Sequence, residues 1–147
     1  DHTVENFGVA ARQGRTIFLS SSYFFLFKGV AVLRSALTHE FGHILYDGLP
    51  PSLQADVDSL WRQLRAPALY YLFHDGEYSE NARFGGHPDD SPEELFASAF
   101  NLFSNRLEEV NARLQYVETR HPALVGRIRD IVASLTGDSH PGAGDRK

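Results

Sequence analysis

The segment from about Gly29 to Asp47 does most to limit what this chain can fold into, because it must form a helix with two unlike faces. It holds Thr38-His39-Glu40-Phe41-Gly42-His43 inside an apolar-periodic run, with Gly29 before it, Gly48 after it and Pro50-Pro51 as a stop. That is the punctuation of a helix. Residues four apart on a helix lie nearly above one another, so His39 and His43 point the same way. Glu40 stands about 100° round from His39 and flanks that face. On the opposite side, Leu33, Leu37, Phe41 and Ile44 form a stripe expected to face the core. Two imidazoles sharing a direction can share a metal ion, and a carboxylate beside them can take a proton from a metal-bound water. Histidines and a carboxylate on a half-buried apolar helix need partners, which weighs against two merely solvated side chains.

Composition narrows the classes. A chain of 147 residues suits one domain, and 11 Phe, 6 Tyr and one Trp supply a core of useful size. The net charge of −5, with basic residues scattered, argues against a nucleic-acid partner. No run of 18 apolar residues occurs, so no membrane span is expected. With no Cys, disulfides and thiolate-held zinc are both excluded. There is no Met and no visible signal peptide. The expectation is therefore a processed product, secreted or released from a precursor, or a domain of a longer polypeptide.

Elsewhere the pattern is mostly helical. Arg15–Ser20 is β-rich and reads as a strand, while Asp1–Gly14 is weakly patterned, with Val4, Phe7 and Val9 as packing anchors. The aromatic cluster Tyr23–Phe27 reads as core or as a wall of a cleft. Ser52–Arg65 has helical spacing at Leu53, Val57, Leu60, Trp61 and Leu64, with Ser52 as its N-cap. Pro67 interrupts, an apolar run Ala68–Phe73 follows, and His74–Asp90 is a long irregular stretch suited to catalytic groups. Ser91-Pro92-Glu93-Glu94 opens the next helix, with Leu95, Phe96, Ala99 and Phe100 buried. Helical pattern continues over Leu102–Val117 with a bend near Ser104-Asn105, and a last helix spans Pro122–Leu135. Residues 136–147 read as a flexible tail.

A zinc peptidase site takes a third protein ligand and leaves its fourth position to water. Tyr46 and Leu49 stand where a third His on the same motif would need Gly and His, which excludes that arrangement. Glu94 is the candidate, with Ser98 and Asn101 on its face as supporting groups. It has a rival role, because Ser91-Pro92-Glu93-Glu94 is also a capping box in which Glu94 reaches back to the Ser91 amide. Glu93 is the neighbouring alternative ligand.

Over residues 15–105 the His-Glu-Phe-Gly-His helix followed by Glu-Leu-Phe-Ala-Ser-Ala-Phe resembles the gluzincin metallopeptidases of the anthrax lethal factor and Pro-Pro endopeptidase family. The resemblance implies that Glu94 is the third zinc ligand. Ser98 departs from that family's second acidic residue. The resemblance also implies an oxyanion-steadying group upstream of Glu94. The matching ungapped position is His87, within Gly85-Gly86-His87-Pro88, and Tyr78 lies further upstream as the alternative.

The expected fold is α+β: a single, mainly helical, zincin-like minimal metallopeptidase domain over 1–135. A small N-terminal β-sheet has an edge strand lining the cleft. The expected function is a zinc-dependent metalloendopeptidase, with one Zn²⁺ on His39, His43 and Glu94. Glu40 is the general base, and His87 or Tyr78 the oxyanion donor. A peptide or protein substrate would lie extended near Ile17–Ser20. The alternative is a catalytically silent zinc-binding recognition module of a larger effector or toxin-like protein.

Overall fold

The computed structural model describes residues 10–19, 29–64, 66–74, 86–105 and 108–136. Two strands come first, β1 (Ala10–Gln13) and β2 (Thr16–Leu19), then six helices: α1 (Gly29–Asp47), α2 (Pro51–Gln63), α3 (Ala66–Phe73), α4 (Pro92–Ser104), α5 (Glu108–Arg120) and α6 (Pro122–Thr136). The described chain is mainly helical. Its strands form one antiparallel hairpin, in register from Ala10↔Leu19 to Gln13↔Thr16 around Gly14-Arg15. The hairpin packs on α1, more through β1 than β2.

Helix α4 is the centre. Eight consecutive residues, Leu95 to Leu102, are buried on every side, as α1, α2, α5 and α6 all pack on it. Leu95, Phe96 and Leu102 belong to one apolar cluster with Val57 of α2, Val110 and Val117 of α5, and Ile128 and Ile131 of α6. Each fully buried side chain of this kind contributes about 1.5–3 kcal/mol. The helix starts as expected. Ser91 is extended (φ −166°, ψ 166°), its Oγ accepts from the Glu94 amide at 3.1 Å, and Pro92 enters the first turn without a missing partner.

Four local expectations change. Helix α2 begins at Pro51, with Pro50 at the cap position and no capping side chain, so Ser52 lies inside the first turn. The apolar run at 68–73 is a helix that begins at Ala66. Pro67 does not break it, because a first-turn residue has no intrahelical acceptor to lose. The bend near Ser104-Asn105 is a full stop: Asn105 is extended (φ −95°, ψ 128°) and α5 starts afresh at Glu108.

The fourth change concerns α1. Its aliphatic stripe is not its buried face: Phe41 is 48% exposed, and Leu33, Leu37 and Ile44 are only half-buried. The side turned into the protein carries Ser35, Gly42 and His43, all buried. Polar groups can occupy that side because α4 supplies a partner to each. No helix among the described residues is long and apolar enough to cross a membrane. The Tyr23–Phe27 cluster and residues 137–147 lie outside the described residues.

Candidate metal centre

Helices α1 and α4 touch closely at one glycine. A Cβ on Gly42 would lie 2.9 Å from the Ala97 Cα and 3.3 Å from the Ala97 carbonyl oxygen, so only glycine lets the two backbones meet there. One turn before His39, the Asn101 amide donates to Ser35 Oγ at 2.6 Å in a buried contact, which fixes the sliding of α1 on α4. These two contacts bring the histidine face of α1 over the first turn of α4.

There the side chains converge. His39 Nε2 lies 2.9 Å from Glu94 Oε2, His43 Nε2 lies 3.2 Å from Glu94 Oε1, and the two Nε2 atoms are 3.2 Å apart. Both Nε2 atoms face the one carboxylate, and which of them donates follows the tautomer of its ring. Glu40 stands beside them, with one ligand atom from each of His39, Glu40 and His43 within 4.8 Å of the others. The carboxylate of Glu94 therefore does not return to the Ser91 amide. Ser91 makes its half of the cap through Oγ, and the Glu94 side chain is committed to the histidines.

The donor set fits a divalent ion. Tetrahedral zinc with bonds of about 2.0–2.1 Å to N and O separates its ligand atoms by about 3.3 Å, close to the 2.9–3.2 Å seen here. Charge has gathered at the same point. Burial pushes the Glu94 carboxyl up, but the hydrogen bonds and charges of His39 and His43 outweigh it and hold Glu94 far below the usual carboxylate range. Burial lowers the His43 imidazole. The hydrogen bond it donates to Glu94 and the charges of Glu94, Glu93 and Glu40 outweigh that too, raising it above its ordinary 6.5.

Glu93, the neighbouring alternative ligand, takes a different place. Its Oε1 accepts from His43 Nδ1 at 2.9 Å, on the side of the ring away from Glu94. His87 is exposed, and its backbone is held on both sides. His74 Nε2 donates to the Gly86 carbonyl at 2.9 Å, and Trp61 Nε1 donates to the Pro88 carbonyl at 3.1 Å. Gly86 itself (φ 68°) lies against the site, since a Cβ there would sit 2.3 Å from Ser98 Oγ and 3.1 Å from His39 Cε1. Ser98 is 1% exposed, and its Oγ has no hydrogen-bond partner among the described residues. Tyr78 lies outside the described residues.

Sequence reasoning offered Glu93 only as an alternative ligand, not as the partner of His43 Nδ1, and gave no role to His74 or Trp61 in building the site. The signals were faint: an acid beside a ligand, a histidine at a helix end, and an indole N–H that must donate to something. Compared with known proteins, the chain matches no family model, no curated protein and no solved structure.

Proposed function

We propose that the chain is a zinc-dependent metalloendopeptidase of zincin-like type. The observation that carries this reading is the convergence of His39 Nε2, His43 Nε2 and the Glu94 carboxylate within 2.9–3.2 Å, with Glu40 on the same face. A zinc ion held by His39, His43 and Glu94 would supply Lewis acidity, polarising a peptide carbonyl and making a water acidic enough to attack near neutral pH.

The remaining work falls to the chain. Glu40 accepts the proton of the attacking water as its oxygen adds to the carbonyl carbon, then delivers that proton to the departing amine as the C–N bond breaks. His87, or Tyr78, donates a hydrogen bond to the oxygen as charge develops on it. The side of β2 that has no strand partner among the described residues would take an extended peptide by backbone pairing. Glu40 supports catalysis over a purely structural ion, which needs no free carboxylate beside its ligands.

The test is Glu40→Gln, with zinc content and turnover of a fluorogenic peptide library measured on the same preparations. The variant should keep about one zinc per chain and lose about 10²–10⁴-fold in turnover. Peptidase activity retained in the variant would sink the assignment. Zinc in the wild type with no cleavage of any library member would leave the recognition module.

A further inference from the structure

We propose that Glu93 is a positioning residue of this centre: its carboxylate holds the Nδ1–H of His43 and so presents Nε2 to the ion. The inference rests on the metal reading above but not on peptide hydrolysis.

The geometry divides the labour between two adjacent acids. Glu93 Oε1 lies 2.9 Å from His43 Nδ1, and Glu94 Oε1 lies 3.2 Å from His43 Nε2. The two nitrogens of an imidazole point apart, so a carboxylate seated on Nδ1 cannot also reach the point where both Nε2 atoms meet. Glu93 is thereby excluded from the ligand set by the bond it makes. It is also placed to decide which nitrogen carries the proton, because a neutral histidine ligand has one N–H, and a carboxylate on Nδ1 keeps it there.

The environments of the partners suit that role. The His43 side chain is 9% exposed, while Glu93 is 33% exposed and reaches in from the edge. No second copy of the device serves His39: among the described residues no hydrogen bond reaches its Nδ1. Its ring edge instead rests against Gly86. One histidine is thus aimed by a charge-assisted hydrogen bond and the other by packing.

The experiment is a competition for Zn²⁺ between the full chain and a chromophoric chelator, on wild type, Glu93→Ala, Glu93→Asp and Glu93→Gln. It is paired with long-range ¹H–¹⁵N spectra of the histidine rings in the zinc-loaded proteins. Alanine should weaken zinc binding by about 10–100-fold, the usual effect of removing such a partner, while one zinc still binds at saturation. Aspartate keeps the charge but is too short to reach, and should behave like alanine. Glutamine keeps an acceptor for Nδ1–H and should recover most of the affinity. The exchangeable His43 Nδ1–H signal should be sharp in wild type and glutamine and broadened by exchange with water in alanine, while the ring signals of His39 stay unchanged, a selectivity that general loosening of the fold does not produce. Unchanged affinity in alanine would overturn the proposal, as would loss of the bound zinc altogether, which would make Glu93 a ligand. A wild type that takes up no zinc would instead bring down the metal reading on which the proposal stands.

Discussion

The centre has a floor and a rim, and they are held by different means. The floor is the contact of α1 with the start of α4. It is set by a close backbone approach at Gly42, a buried hydrogen bond from Asn101 to Ser35, and eight buried residues that continue α4 behind the acids. The rim is residues 86–90. Two side chains from elsewhere grip its carbonyls, His74 at Gly86 and Trp61 at Pro88. Removing paired, buried charges from water costs several kcal/mol per ion, and Leu95, Phe96 and Leu102 alone offset about that much. Two ordinary hydrogen bonds contribute only about 1 kcal/mol each. The floor therefore sets where an ion can bind, and the rim is the more easily adjusted part.

The largest effect should come from the floor. Glu94→Ala removes the one carboxylate that both Nε2 atoms share, and zinc content by plasma mass spectrometry should fall from about one per chain to near none. Full zinc in that variant would leave Glu94 with no part in the centre. Single methyl groups then compare the two regions directly. Gly42→Ala places a Cβ against the Ala97 backbone, which cannot move without parting the helices. It should cost about 1–3 kcal/mol by chemical denaturation, less the roughly 1 kcal/mol that alanine gains over glycine in a helix, and it should weaken zinc binding. Gly86→Ala meets mainly the Ser98 hydroxyl and a left-handed backbone, so it should cost about 1–2 kcal/mol for φ alone. Ser98→Ala should relieve the closest part of the added clash, since that oxygen makes no hydrogen bond among the described residues, while the approaches of 3.0 Å to the Ser98 Cβ and 3.1 Å to His39 Cε1 remain. If Ser98→Ala rescued Gly42→Ala equally well, the division into floor and rim would fail.

Acidity separates the metal-free floor from the loaded one. In protein stripped by chelator, Glu94 has its carboxyl lowered from 4.5 and His43 its imidazole raised from 6.5. The lowered acid stabilises above pH 4.5 and loses that as pH falls through its folded value. The raised base stabilises below pH 6.5 and loses that as pH climbs through its folded value. The stability difference between stripped wild type and Glu94→Gln should therefore be greatest between pH 4.5 and 6.5 and shrink on either side. Zinc must displace the His43 proton, so stabilisation by zinc should grow over the same alkaline limb. Parallel trends with and without zinc would mean that the ion does not use His43. The smallest effect belongs to the rim: Trp61→Phe keeps an aromatic ring, drops the bond to Pro88, and should cost about 1 kcal/mol with zinc content unchanged.

Much of this was legible because local chemistry and tertiary structure agree. The Gly29–Asp47 helix and the Ser91-Pro92 start of α4 carry their own punctuation, and the structure has both. The burial of α1 was misread. A stripe of Leu, Phe and Ile points to the core only if nothing on the opposite face has better partners, and here α4 offers Gly42 a groove and His43 two carboxylates. Two roles for Glu94 were open in the sequence because cap and ligand need the same residue at the same offset. Only the position of α1 separates them. Glu93, His74 and Trp61 act through contacts between elements far apart in the chain, and their spacing carries no trace of that.

The pairing of His39 with Glu94 joins positions 55 apart in the chain, and α2, α3 and the 86–90 segment all lie within the ring so closed. A metal ion at that junction would be a cross-link as much as a reagent. By the chain-entropy reasoning applied to disulfides, a clasp of this span takes about 4 kcal/mol of freedom from the unfolded chain. A protein with no cysteine would then have its staple in the site itself, and chelation would loosen the ring together with the chemistry.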